Sequence, residues 1–163
     1  MLDEIIVGAL GSILSISIHA AMTLAVIRFA RRLSRTMVRY PLLLIVVLIP
    51  TVTFLMATHT FEVVIWAGIY KIVGAAPSGT SLVYFAFVNY TTLGYGEILP
   101  LPEWQLLEPI TAMNGVLMFG WSTAVIFEIL RKTIELPLPK KPAGPARAGS
   151  LKSPSIRRRR PRT

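Results

Sequence analysis

The sequence predicts an all-α integral membrane protein with three transmembrane helices, a short re-entrant helix and a glycine-containing loop after it. The first observation is composition, since 53% of the 163 residues are hydrophobic and the charges concentrate at the ends and in one short region. The second is segment length, because three apolar segments can each cross about 30 Å of hydrocarbon at about 1.5 Å per residue. This is not the composition of a soluble core.

The first apolar segment carries no charge from Ile5 until Arg28, and we assign residues 1–31 to an additional N-terminal transmembrane helix. It is not a secretory signal, because acidic residues and no basic ones precede it. One face carries small or polar residues at spacings of three and four, which suits close contact with the second span: Gly8, Ser12, Ser15, His19 and Thr23.

The second segment is too long to stand upright in a bilayer. Residues 42–74 would extend about 50 Å as one helix, so we expect tilting, protrusion or a bend at Pro50. The third segment covers residues 102–132, with Pro102 in its first turn, where a missing N–H costs little. Gly115 and Gly120 interrupt that helix, and each suits either a hinge or close packing.

Basic residues predict the orientation. They crowd the loop at residues 32–40 and the C-terminal tail, and Lys71 is the exception. The positive-inside rule then places the N-terminus outside and the C-terminus in the cytoplasm of a multi-pass protein of the cell (inner or plasma) membrane. The cluster consists of Arg28, Arg31, Arg32, Arg35 and Arg39.

Four of these arginines, Arg28, Arg32, Arg35 and Arg39, also have the helical spacing of a voltage sensor. We disfavour that interpretation because they follow a complete span and end at Pro41. Anchoring on anionic lipid fits better, and the disordered basic tail at residues 133–163 has the same expected partner. Nucleic acid is an unlikely partner, since no folded reader accompanies the charge.

A glycine-containing loop lies between the second and third spans: Tyr90-Thr91-Thr92-Leu93-Gly94-Tyr95-Gly96-Glu97. An ion entering a membrane loses water and needs oxygen ligands in its place, which backbone carbonyls can supply. Carbonyls alternate in an extended strand, and turning several toward one axis requires dihedrals that glycine adopts without penalty. The simpler alternative is an ordinary Gly-Tyr-Gly turn, which the order of the flanking segments disfavours.

With its flanking segments, this loop resembles the selectivity filter of the potassium-channel family in its small bacterial form. The resemblance covers residues 81–131 and the span before them. It implies a pore module at residues 41–132, built from an outer helix at 41–74, a pore helix at 80–91, a filter at 92–96 and an inner helix at 102–132. It also implies that K⁺ binds at Thr92, Leu93, Gly94, Tyr95 and Gly96.

The pore helix should begin at an N-cap formed by Ser78. Irregular backbone at membrane depth must be enclosed by protein, so the filter implies a homotetramer. Four positions depart from the family. Leu93 stands where Val or Ile is usual and Glu97 where Asp is common, and Val88 and Phe85 stand where some members carry Glu and Trp behind the filter. We therefore expect those polar supports to be missing.

The function implied by the resemblance is passive, potassium-selective conduction. The alternatives are a non-conducting channel-like scaffold or regulatory subunit, and a weakly selective cation channel. No catalytic constellation, phosphate loop or metal-binding spacing is present, so we expect no enzyme activity, no metal other than K⁺ and no cofactor beyond the permeant ion.

Further candidate residues lie at the two ends of the pore. Glu97 stands at the outer mouth, where carboxylates from four chains would concentrate cations. A possible pore-lining stripe runs along Asn114, Leu117, Gly120, Ala124 and Glu128, with Glu128 near the inner mouth. An ordinary helix pair with Lys132 is the alternative for Glu128.

Three polar residues lie within the spans themselves: His19, His59 and Glu62. Because charge in lipid is costly, we expect them to face neighbouring helices, with Glu62 accepting a hydrogen bond from one histidine. Structural cohesion is the favoured role, and a proton sensor is the alternative, since histidine titrates in the appropriate range.

Overall fold

The computed structural model describes residues 1–36 and 43–135. Within these ranges it contains helices and no strands: α1 Leu2–Thr36, α2 Leu43–Val73, α3 Leu82–Tyr90, a 3₁₀ turn Pro102–Trp104 and α4 Leu107–Ile134. Three stretches are long and apolar enough to cross a membrane, namely Leu2–Leu33, Leu44–Val73 and Pro102–Ile134. The predicted all-α membrane fold is therefore confirmed. Arg39 and the basic tail beyond residue 135 lie outside the described residues, as do the roles predicted for them.

Helix α1 packs in the groove between α2 and α4. Its glycines make this approach possible, because a Cβ at Gly8 would meet Ile110 of α4 and one at Gly11 would meet Trp66 and Ile69 of α2. The predicted docking against the second span alone was incomplete. The polar residues buried along this face of α1 are Glu4, Ser15, His19 and Thr23.

A contact between helix ends shows the relative directions of α1, α2 and α4. The Glu4 carboxylate accepts a hydrogen bond from the Leu106 N–H at the start of α4 (2.9 Å). A carboxylate at a helix N-terminus is favourable because it offsets the partial positive charge of the unpaired N–H groups. The starts of α1 and α4 therefore lie together, and α2 runs the opposite way.

Helix α2 continues through Pro50 without interruption. Its length is therefore spanned by one continuous helix, and the expected tilt, protrusion or bend at Pro50 stays a prediction. Towards its other end lies the core, where Trp66 and Tyr70 pack with Phe85 and Tyr90 of α3 and with Met118 of α4. The Tyr70 hydroxyl donates to the Thr111 hydroxyl (2.7 Å), which ties α2 to α4.

The short helix begins later than predicted. Ser81, not Ser78, occupies the N-cap position, and its side chain makes no capping hydrogen bond. The reason is a turn: the Thr80 N–H donates to the Pro77 carbonyl (3.2 Å), and Gly79 has a φ of +83°. That left-handed residue excludes a helix before Ser81.

Candidate functional site

The loop after α3 has an unusual alternating backbone. Thr92, Gly94 and Gly96 have positive φ values of 60°, 54° and 74°, whereas Leu93 and Tyr95 between them do not. Reversing the sign of φ at every second residue cancels the alternation of carbonyl directions found in an extended strand. Successive carbonyls can then face one side.

Thr92 is the sole non-glycine residue with positive φ among the residues that the structure describes. This conformation costs an ordinary L-residue on the order of 1–2 kcal/mol. Strain of this kind persists where the surroundings impose it, and it concentrates at functional sites.

The end of α3 holds the start of the loop. The Thr92 N–H donates to the Asn89 carbonyl (3.1 Å), and the Leu93 N–H donates to the Val88 carbonyl (2.9 Å). The Thr92 hydroxyl donates to the Thr91 carbonyl (2.6 Å), so its oxygen keeps lone pairs for a cation. The loop thus starts at the helix C-terminus, whose partial negative charge favours cations.

In a single chain the loop is exposed. Leu93 is 49% and Tyr95 is 64% exposed, and no residue from 91 to 97 is buried. Peptide groups in hydrocarbon need partners, so an exposed irregular loop at membrane depth is untenable without enclosing protein.

One polar contact braces the loop from behind. Val88 and Phe85 offer no polar group, as expected, but the Tyr84 hydroxyl donates to a Glu97 carboxylate oxygen (3.3 Å). This support was not predicted, and its donor comes from the residue before Phe85. Desolvation and the nearby Glu97 carboxylate raise the pKa of Tyr84, which keeps this hydroxyl protonated.

Gly115 permits α4 to touch the end of α3. A Cβ at Gly115 would collide with the Tyr90 carbonyl oxygen, whereas a Cβ at Gly120 would meet nothing within 4 Å. Helix α4 also passes through both glycines without a break. Of the two roles considered for Gly115, this contact gives close packing a direct physical reason, and the hinge stays a prediction.

The predicted stripe along α4 divides between two faces. Leu117, Gly120 and Ala124 are exposed, but Asn114 is buried and accepts a hydrogen bond from the Trp66 indole N–H (3.3 Å). Asn114 therefore lies inside the chain, so its inclusion in a pore-lining stripe was wrong.

Glu128 at the other end of α4 is engaged by cations of its own helix. Its carboxylate lies 2.6 Å from the Lys132 ammonium and 2.9 Å from the Arg131 guanidinium. Pairs at this exposure contribute little to stability. They do offset the charge that Glu128 would present to ions at an inner mouth.

Five side chains from all four helices meet in what we call the polar cluster: His19, His59, Glu62, Tyr90 and Ser122. His19 and Glu62 are 0% exposed. The His19 Nδ1 lies 2.9 Å from Glu62 Oε1, the His59 Nδ1 lies 3.3 Å from Glu62 Oε2, and the Tyr90 hydroxyl donates to Oε2. Glu62 therefore accepts hydrogen bonds from α1 and α3.

Ser122 completes the polar cluster from α4. Its Oγ lies 2.9 Å from the His59 Nε2 and 3.3 Å from the His19 Nε2. The cluster thus connects α1 to the last residue of α3, directly before the loop with alternating φ.

Comparison with protein families shows which class of protein the chain belongs to. A family model described as an ion channel matches residues 42–132. The chain belongs to this ion channel family. No curated protein and no solved structure matches the chain. The matched range begins just before α2 and ends within α4, so α1 lies outside it.

The polar cluster of the channel also has the composition of a metal site. Ligand atoms of His19, His59 and Glu62 lie within 4.8 Å of one another. A tetrahedral zinc ion with bonds of about 2.0 Å separates its ligand atoms by about 3.3 Å. The 2.9 Å between His19 Nδ1 and Glu62 Oε1 is instead a hydrogen-bond distance, so the geometry favours a shared proton there.

Sequence reasoning missed three of the contacts that organise this channel. They involve Glu4 at the start of α4, Tyr84 behind the loop, and Ser122 between the histidines. Ser122 carried a usable signal, because a hydroxyl in the middle of an apolar span needs a partner. Glu4 carried no such signal, because its partner Leu106 is distant in sequence. Tyr84 carried none either, because Glu97 is one of several acidic residues near the loop.

Proposed function

We propose that the chain is a subunit of a homotetrameric, potassium-selective channel that conducts K⁺ passively. The observation that carries this proposal is the alternation of φ at Thr92, Gly94 and Gly96. It allows successive carbonyls to replace the water of a dehydrated cation, with Thr92, Leu93, Gly94, Tyr95 and Gly96 as the ligand-bearing residues.

Fourfold assembly would give the exposed surfaces a partner. Leu117 of α4 is 58% exposed, and Tyr95 of the loop is 64% exposed. An open groove of about 330 Å³ also lies between the loop and α4, which is space for side chains of a neighbouring copy; its lining includes Val88, Thr92, Gly94, Pro109 and Ala112. A ring of four chains would cover these surfaces and enclose the filter.

The proposed orientation places the filter at the outer face. The starts of α1 and α4 lie together, and basic residues occupy the opposite ends of these helices and the sequence that follows each of them. Glu97 would then stand at the outer mouth and Glu128 near the cytoplasmic one. We propose anionic lipid as the partner of the basic loop and tail.

Potassium flux into liposomes containing the purified channel tests this function. We expect flux in the parent protein, block by barium and loss of flux in Gly94→Ala, because alanine is strained at a φ of +54°. Gly79→Ala is the matched control, since it imposes similar strain at a φ of +83° outside the filter.

The control separates filter damage from general backbone strain. Flux should persist in Gly79→Ala. A folded parent protein without flux would favour the non-conducting scaffold, and equal flux in parent and Gly94→Ala would contradict the proposed filter.

A further inference from the structure

We propose that the polar cluster is a proton-binding site that holds one excess proton per chain, carried on an imidazole. The proposal concerns His19, His59, Glu62, Tyr90 and Ser122 and does not depend on whether the pore conducts potassium. The bound proton would lie where α1 contacts the other helices of the channel. Helix α1 lies outside the matched family range.

The first argument counts hydrogens. The contacts are His19 Nδ1 to Glu62 Oε1, His59 Nδ1 to the Tyr90 oxygen, Tyr90 hydroxyl to Glu62 Oε2, and Ser122 to the Nε2 of each histidine. Each contact needs one hydrogen. Three groups able to donate, His19 Nδ1, His59 Nδ1 and the Tyr90 hydroxyl, surround the two Glu62 oxygens, which favours the ionised carboxylate as the acceptor. Two neutral imidazoles and two hydroxyls supply one hydrogen each, which is then one fewer than the contacts require.

The missing hydrogen is the one needed between Ser122 and the two histidine rings. Both Nδ1 atoms use their hydrogens toward Glu62 and Tyr90, so both Nε2 atoms of neutral rings are acceptors. The single Ser122 hydrogen can serve one of them, although its oxygen lies within 3.3 Å of both. If one imidazole is protonated, its Nε2–H donates to the Ser122 oxygen, and the Ser122 hydroxyl donates to the other ring.

The second argument is charge. One imidazolium balances the Glu62 carboxylate, so the proton-loaded cluster is neutral where His19 and Glu62 are fully buried. Without the proton the cluster carries a net negative charge and an unpaired nitrogen, and both are costly in an apolar region.

Within residues 1–36 and 43–135, the neighbours of the cluster add no compensating charge. Around the histidines α1 contributes His19, α2 contributes His59 and Glu62, and α3 contributes Tyr90. Helix α4 contributes Ser122 and the rings of Trp121 and Phe119, which do not titrate. The ring centroids of Trp121 and His19 are 5.6 Å apart, and those of Phe119 and His59 are 4.7 Å apart. The balance therefore depends on the cluster itself.

Binding of this proton reaches the filter through Tyr90. Tyr90 is the last residue of α3, its hydroxyl contacts both Glu62 and His59, and Thr91 follows it directly. Loss of the proton weakens the attachment of α1 and of the end of α3, which makes the position of the loop sensitive to pH.

Nitrogen NMR of the full-length channel in lipid nanodiscs tests the proposal directly. The chain has two histidines, both in the cluster, so ¹⁵N-histidine labelling reports this site without background. At pH 7 we expect one imidazolium and one neutral imidazole per chain, and loss of the imidazolium signal as pH rises. Two neutral rings or two imidazoliums at pH 7 would overturn the proposal.

A pair of variants tests the part assigned to Ser122. Ser122→Ala removes the acceptor for the second imidazolium hydrogen, so the imidazolium signal should disappear about one pH unit lower than in the parent. Thr123→Ala is the matched control, because that exposed hydroxyl donates to its own helix at the Phe119 carbonyl (2.9 Å). Identical titration of the two variants would contradict the role of Ser122, and the measurement on the parent protein stands if either variant fails to fold.

Discussion

The Tyr90 hydroxyl, at the last residue of α3, donates a hydrogen bond to the buried carboxylate of Glu62 on α2. This contact joins the segment that positions the loop to the helix that anchors it. Because Glu62 also contacts His19 of α1, one carboxylate links the additional helix to the pore module.

Tyr90→Phe removes this hydrogen bond while it keeps the aromatic ring in the core. We expect a loss of about 1.5–3 kcal/mol in the free energy of unfolding, because a buried charged acceptor loses a donor. Tyr70→Phe is the matched control, since both partners of that buried hydroxyl are neutral: it donates to the Thr111 hydroxyl and accepts from the Asn89 side-chain amide. We expect it to cost less than Tyr90→Phe, because no charged acceptor is left without its donor. Thermal unfolding in detergent compares the two variants, and an equal or smaller loss at Tyr90 would contradict this assignment.

Gly115→Ala should disrupt the contact between α4 and the end of α3. Its Cβ would collide with the Tyr90 carbonyl, a backbone atom that cannot move alone. We expect a lower melting temperature and reduced tetramer recovery on size-exclusion chromatography.

Gly120→Ala provides the comparison, because its Cβ meets nothing and alanine favours a helix by about 1 kcal/mol. It should be as stable as the parent or more so. Similar melting temperatures for the two alanine variants would show that Gly115 has no special packing role.

Tyr84→Phe removes the donor to Glu97 behind the loop. Because both side chains are exposed, this hydrogen bond contributes little, and we expect the conducting form of the proposed filter to become about twofold less populated without it. Single-channel recording measures this as open probability. Glu97→Gln retains an acceptor for Tyr84 and should change open probability less, so the reverse order of effects would count against this support.

Glu4→Ala removes the carboxylate that receives the Leu106 N–H. The variant leaves the Leu106 N–H at the start of α4 without its carboxylate partner, and we expect the melting temperature to fall. Asp3→Ala, at the neighbouring exposed position, is the control and should leave it unchanged. Equal effects would mean that general charge near the N-terminus matters, not this contact.

The sequence predicted the three spans and the short helix because apolar length and order determine them. It predicted the N-cap of the short helix three residues early, because Ser78 suits an N-cap as well as Ser81 does. Local sequence could not show that Gly79 would turn the chain between them. The alternation of φ at Gly94 and Gly96 followed from residue type, whereas the positive φ of Thr92 did not.

The polar cluster was half predictable. Polar side chains at similar depth in apolar spans need polar partners. The sequence therefore predicted that His19, His59 and Glu62 lie close together. Tyr90 and Ser122 joined them through the packing of α3 and α4, whose rotation about their axes depends on the whole core. Asn114 was misplaced for the same reason, since its contact with Trp66 sets which face of α4 points inward.

The potassium-to-sodium permeability ratio, measured from reversal potentials with K⁺ on one side of a planar bilayer and Na⁺ on the other, tests the central claim most directly. Carbonyl coordination by a filter at residues 92–96 predicts a reversal potential strongly displaced toward the potassium equilibrium value, and loss of that selective current in Gly94→Ala. A reversal potential near zero in the parent channel, with robust current, would contradict potassium selectivity.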